Sequence, residues 1–153
     1  MSKNEPFIPP EKKLPEITCK AVVLSIILVI LLGSANAYLG LRVGMTVSAS
    51  IPAAVISMGL LRCFKTSNIL ENNIVQTAAS AGEALTAGII FTIPALIVIH
   101  YWAKFNYLMT AAIALLGGTL GVLFSVPLRR VLLADKTLTF PEGTAIGNVL
   151  KAT

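Results

Sequence analysis

Long apolar runs joined by short polar or charged stretches dominate the chain. Four of them approach or exceed the roughly 20 residues of helix needed to cross a hydrocarbon core about 30 Å thick. They run from Ala21 to Leu41, from Val47 to Phe64, from Ala81 to Ile99 and from Leu108 to Leu128. This pattern predicts an all-α, polytopic transmembrane bundle with about four spans. The tail before the first run, MSKNEPFIPPEKKLPEITCK, is rich in Pro and Lys and too poor in apolar residues to fold alone. Residues 1–20 therefore read as a mobile cytoplasmic arm, 21–136 as the transmembrane region, and 137–153 as the start of a further helical segment cut short at Thr153.

Ahead of the third run the pattern changes. In ILENNIVQTAASAGEALTAG, residues 69–88, Asn73, Gln76, Ser80 and Glu83 follow one another at intervals of three, four and three. On a helix this places them on one face, with Asn72 and Thr77 beside them and Ile, Val, Ala and Leu opposite. From Ile69 to Ile99 the run is too long for one upright span, so it must tilt, break, or begin at the interface, and Pro94 offers a point for a kink. A carboxylate in hydrocarbon costs roughly 2.5 to 3.5 kcal/mol on insertion scales, which is why intramembrane acids are functional candidates. Two readings stay open. The row can be glue, giving interhelical hydrogen bonds worth about 0.6 kcal/mol each, with Glu71 and Glu83 near the interfaces. Or it can line a hydrophilic path in which Glu83 exchanges a proton, since burial disfavours the charged form of a carboxyl group.

Composition agrees with the membrane assignment: 56% of residues are hydrophobic, 12% are charged, and the mean hydropathy is +0.83. The net charge of +5 does not point to nucleic acid, because the basic residues lie in the joints rather than on one face of a folded domain. With the N-terminus inside, Lys3, Lys12, Lys13, Lys20, Arg62, Lys65, Arg129, Arg130 and Lys136 are cytoplasmic, against Arg42 and Lys104 outside. The positive-inside rule thus sets the orientation, and His100, Tyr101, Trp102 and Tyr107 supply rings for the outer headgroup belt. Cys19 and Cys63 have no metal-ligand spacing and read as packing residues at cytoplasmic helix ends. Ala35-Asn36-Ala37 after an apolar run resembles a signal-peptidase site, but the leading tail is too long and too acidic for an n-region, and further spans follow.

Arg42, in the joint Gly40-Leu41-Arg42-Val43-Gly44, can either snorkel to headgroups or dock a substrate carboxylate. Gly40 with Gly44, and Gly117 with Gly121, form GxxxG spacings that indicate close packing rather than a dimer. In TLTFPEGTA, 137–145, the helix is expected to break at Pro141 and restart after Gly143, with Glu142 as a favourable N-terminal charge. Leu61-Arg62 and Thr77-Ala78 recur as Leu128-Arg129 and Thr144-Ala145 at one offset, a hint of a helical-hairpin repeat. No triad, zinc-hydrolase or phosphate-loop signature is present, so the residues point to no enzyme, no catalytic or metal-ligating set and no cofactor.

Three motifs in order carry a resemblance: residues 36–54, NAYLGLRVGMTVSASIPAA; then ILENNIVQTAASAGE; then Pro127-Leu128-Arg129-Arg130 followed by LTFPEGTA. Together they resemble the N-terminal part of the oligopeptide transporter (OPT) family on its prokaryotic side. The resemblance implies a secondary transporter in the inner membrane that moves short peptides or metal-chelate complexes, generally by proton symport. Family members are several times longer than this chain. The expected partners are the lipid bilayer, the remainder of the transporter or a second copy, and the small substrate; no nucleic acid is expected. The alternative is a small structural or assembly subunit of a membrane complex.

Overall fold

The computed structural model describes residues 7–9, 11–64, 67–135 and 137–152. Lys3, Lys65 and Lys136, which entered the charge count, and Thr153 lie outside the described residues. Five helices are found among the described residues: α1 (Cys19–Val43), α2 (Ser50–Leu61), α3 (Ile69–Val98), α4 (Tyr107–Ala134) and α5 (Pro141–Lys151). Three of them, α1, α3 and α4, are long and apolar enough to cross a membrane.

The starts of α1 and α3 are tied into one knot. Thr18 caps α1 by accepting from the Ala21 N–H at 3.3 Å, and its hydroxyl donates to Glu71 at 2.5 Å. Asn68 caps α3 by accepting from the N–H groups of Leu70 and Glu71, and the Glu71 carboxylate takes the Asn68 N–H in return. This reciprocal capping box satisfies donors that a helix start leaves orphaned. The carboxylate of Glu71, fully buried, also pairs with the Lys20 ammonium at 3.1 Å. A buried acid is thereby given a cation, a hydroxyl and a backbone N–H, the set such a charge requires. Asn68 further donates to the Pro15 carbonyl, and Phe7 and Ile8 of the arm line a groove with Ile69, Leu70, Gly147 and Leu150. Of the described residues of the arm, 7–9 and 11–18 are not helical and Cys19 and Lys20 open α1, and Phe7, Ile8 and Pro15 are docked.

From this knot α1 and α3 run side by side in the same direction. Thr18 meets Glu71, Val29 meets Gly82, Gly33 meets Thr86, and Gly40 meets Ile90. Chain direction is the same in both helices, so the segment between them must travel back the whole way. The sequence pattern predicts a continuous span from Val47 to Phe64 for this return, and here the structure differs. α2 has 12 residues, about 18 Å of helix, and the chain from Gly44 to Ala49 is not helical. The reason is local. Gly44 ends α1 in the left-handed region at φ 77°, its N–H closing on the Gly40 carbonyl. A helix begun at Val47 would place Pro52 at its sixth position, losing a hydrogen bond and driving the ring into the Ser48 carbonyl. Begun at Ser50, the helix holds Pro52 in its first turn, where no N–H is missed. The second crossing is thus a broken one.

α3 is a single helix of 30 residues, about 45 Å, that continues through Pro94, so the expected excess over one upright span is met without a break. After it, His100 turns the chain with a positive φ of 58°, and Asn106 caps α4 through the Met109 N–H. α4 rests only lightly on α3, with Gly118 beside Leu85. Asp135 receives both the hydroxyl and the N–H of Thr137, and these bonds hold its carboxyl below the usual carboxylate range. α5 begins at Pro141 itself, with Gly143 inside it, because proline is pre-set for the first helical position. It packs against α2 and α3.

Several expectations on small residues are corrected. Gly40 is a contact glycine and Gly44 a helix terminator, while a methyl group at Gly117 or Gly121 would meet no other element within 4 Å, so among the described residues neither GxxxG pair packs as a pair. Cys19 and Cys63 are exposed rather than packed, on the walls of an apolar groove of about 560 Å³ between α1 and the end of α2. The proposed repeat joins unlike places: Leu61 closes the short α2, whereas Leu128 lies inside α4.

Gly82 separates these effects in a stability measurement. A methyl group there would stand 2.7 Å from Val29 Cγ1, on a β-branched side chain with little rotamer freedom. Gly82→Ala is expected to cost about 1 to 3 kcal/mol by overpacking, and Gly117→Ala to be neutral or stabilising. SDS titration of both variants in mixed micelles, followed by circular dichroism, checks this; equal midpoints would count against the α1–α3 contact.

Candidate functional site at the broken crossing

The non-helical stretch 44–49 carries backbone groups that no helix satisfies, and two side chains from the neighbouring helices serve them. Asn36, buried in α1, donates from Nδ2 to the Val47 carbonyl and accepts from the Val47 N–H at Oδ1, both at 3.0 Å. Glu83 of α3 accepts the Ala49 N–H at Oε2, 2.8 Å away. One residue further on, the hydroxyls of Ser50 and Ser80 meet at 2.9 Å. Ser48 bonds Ser50 at 3.3 Å and donates to the Glu142 carboxylate in the first turn of α5. α2 and α5 therefore begin beside one another, each with a carboxylate at its start, the end of a helix where negative charge is favoured. Glu83 is the fifteenth of the 30 residues of α3, at its midpoint. The cluster is closed on the α1 and α3 side, where Asn36, Ala49 and Ser50 are buried, and open on the other, where Val47, Ser48 and Glu142 are exposed.

Below this cluster the predicted polar row divides. Asn72 and Gln76 are buried, and Ser80 and Glu83 are half-buried, at intervals of four, four and three. Asn73 and Thr77 are exposed, and Asn73 borders the groove that holds Phe7. The inner line of the row is thus drawn through Asn72 rather than Asn73. Among the described residues, neither polar atom of the Asn72 side chain has a hydrogen-bond partner, although the residue is fully buried. Gln76 accepts weakly from Thr77 at 3.4 Å. Glu71, read with Glu83 as a residue near an interface, is fully buried and belongs to the structural knot. Arg42 is exposed in the last turn of α1, where its charge suits the helix C-terminus, and is not part of the cluster.

The pattern reading missed Asn36, Ser48 and Ser50, and gave Glu142 only a capping role. A signal was present: Asn36 interrupts an apolar run as surely as Glu83 does, and a buried amide there needs partners for the same reason. What the row could not give was the backbone those partners belong to. Among the described residues no group of His, Cys, Asp and Glu is arranged to hold a metal ion. The arrangement can bind and orient a small polar or charged group against two helix starts.

The profile of the family described as "OPT oligopeptide transporter protein" matches residues 16–153. A curated protein of Haemophilus influenzae named "Putative oligopeptide transporter" is 52% identical over 115 residues, covering 75% of this chain and 18% of the relative's length. No solved structure matches. With nearly the whole chain matched, it belongs to the oligopeptide transporter family.

Proposed function

We propose that this chain is one part of a secondary active transporter for short peptides or related small solutes, and that its broken crossing and the inner row of α3 line the permeation path. The observation that carries the reading is the placing of Glu83: an acid at the midpoint of a 30-residue apolar helix, engaged not with a cation but with the first free backbone N–H of a half-length helix. Transporters of the broken-helix type bind solutes near the midplane at such half-helix ends, and irregular backbone at that depth is tolerated only when buried or beside water.

In this reading Asn72, Gln76, Ser80 and Glu83 form a ladder whose rungs are about 4.5 to 6 Å apart, at 1.5 Å per residue over three or four residues. Two hydrogen bonds of about 2.8 Å end to end cover that distance, so single waters can join the rungs. As a carboxylate, Glu83 makes a charge-assisted bond to Ala49 and sits well at the start of α2. When protonated it loses the charge that made both favourable, so proton uptake loosens the break. Glu142 offers a second carboxylate to the ammonium of a peptide. Proton coupling supplies the driving force.

Glu83→Gln tests the role, because it keeps size and hydrogen-bonding groups while removing titration. In a transport-competent protein carrying this sequence, the variant is expected to reach normal membrane levels and to lose about a hundredfold or more in uptake driven by a pH gradient, the lower end of what a positioned proton-transfer group contributes. Undiminished proton-driven uptake would leave the row as helix glue.

Orientation is a separate expectation. The described residues of the arm, Arg62 and Arg129-Arg130 lie toward the end of the bundle where α1 and α3 start, opposite Trp102, and the Lys and Arg excess supports a cytoplasmic position for that end. With Cys19 and Cys63 replaced by Ser, single cysteines at positions 12 and 130 should resist an impermeant maleimide in intact cells, while one at 102 reacts. Labelling of 12 or 130 before permeabilisation would reverse the topology.

A further inference from the structure

We infer that Asn36 is the positioning residue of the broken crossing: by holding Val47 in an extended conformation it delivers the Ala49 N–H to Glu83. The inference gains its transport meaning from the reading of Glu83 above, but its geometry and its test stand apart from it.

Asn36 lies in the next-to-last full turn of α1, 3% exposed, in a run whose neighbours are Ala, Leu, Gly and Tyr. Its amide presents a donor and an acceptor in one plane, and both are used on one residue: Nδ2 to the Val47 carbonyl and Oδ1 to the Val47 N–H, each at 3.0 Å. The side chain thereby imitates the edge of a β-strand and gives Val47 the two bonds a sheet would give. Only one orientation of the amide works, because the backbone fixes which group donates. Other side chains fail for stated reasons. Aspartate ionised has no donor for the carbonyl, Ser and Thr have one oxygen in place of two atoms, and Gln places its amide one methylene too far.

A single residue, Ser48, separates the clamped Val47 from Ala49, whose N–H meets Glu83 at 2.8 Å, and Ser50 follows against Ser80 at 2.9 Å. Once Val47 is fixed, few torsions remain between the clamp and the acid. Gly44, before the clamp, sits in the left-handed region and lets the chain reverse out of α1. The joint is therefore held at Val47 from α1 and at Ala49 from α3, so the clamp on α1 sets what the acid on α3 can reach.

Amide hydrogen exchange, resolved by residue with NMR on this chain in lipid nanodiscs, reads the coupling. Asn36→Ala is expected to speed exchange about tenfold or more at both Val47 and Ala49, the scale of one to two lost hydrogen bonds. Amides of α3 around Val75 to Ala79 should keep their protection and so report an intact bundle. Acceleration confined to Val47, with Ala49 as protected as in the parent, would overturn the inference. Should Asn36→Ala loosen α3 as well, Asn36→Asp decides. Its protonated acid again offers one donor and one acceptor, so protection at Val47 and Ala49 should approach the parent's at low pH and fall as the side chain ionises. Glu83 from α3 and Glu142 from α5 bond this joint and Arg42 ends α1, so the same pH series on the parent removes their contribution. A difference between Asn36→Asp and parent that stays constant with pH would also overturn it. Neither result depends on uptake, so failure here leaves the transport reading to its own assay.

Discussion

Backbone inside a membrane must have its hydrogen bonds met by protein or by water, and a helix meets them without help. Residues 44–49 give up that independence, and the rest of the arrangement follows from finding partners for them. Asn36 has to come from α1 and Glu83 from α3, so the two long helices must lie adjacent and in register along the joint. Their common direction, fixed at one end by Thr18 on Glu71 and along the length by Val29 on Gly82, supplies that register. It also obliges the connecting segment to return across the same thickness, which a helix of 12 residues alone cannot do. The extended joint makes up the difference.

The two acids of α3 show how environment assigns roles. Glu71 has a cation, a hydroxyl and a backbone N–H around one buried carboxylate; the first two, from Lys20 and Thr18, join α1 to α3, and the third closes the cap of α3. Breaking such a set by deleting one member is costly, about 3 to 5 kcal/mol where a buried partner is left alone, which is the signature of a structural charge. Glu83 lies twelve residues on, three turns and a third. Among the described residues its bond is to the N–H of Ala49, and no ion pair reaches it. The contrast explains why a substitution at 71 is expected to read out in stability and one at 83 in transport.

Much of this was legible in the residues, and what was not has a physical cause. The long spans followed from apolar length alone, since α1, α3 and α4 need little from their neighbours to be helical. The polar row was visible as a face, but Asn72 and Asn73 differ by only 100° around α3, and which of them turns inward depends on where α2 lies. That position is tertiary. The shortened α2 had a signal in Pro52, whose ring disfavours a helix begun at Val47, yet apolar content from Val47 to Phe64 outweighed it in a reading by length. Asn36 was seen within a family motif, though its chemistry is meaningless until Val47 is known to be extended. Glu142 read as a cap because its partner, Ser48, is 94 residues away.

The two exposed sides of this bundle make opposite demands. On α4, Leu115, Leu116, Leu120, Val122, Leu123 and Phe124 are exposed, and hydrocarbon satisfies them as well as protein would. On the open side of the break, Ser48 and Glu142 are exposed together with irregular backbone, and lipid satisfies none of these. A carboxylate and a hydroxyl bonded to one another still leave oxygens that need donors. Under the proposed function the side that must face water or further protein is therefore the break, while α4 can stand at the periphery. The same asymmetry directs a polar solute to the helix starts of α2 and α5 rather than to the apolar groove of about 560 Å³ beside α1, whose walls offer it little beyond Lys20, already committed to Glu71.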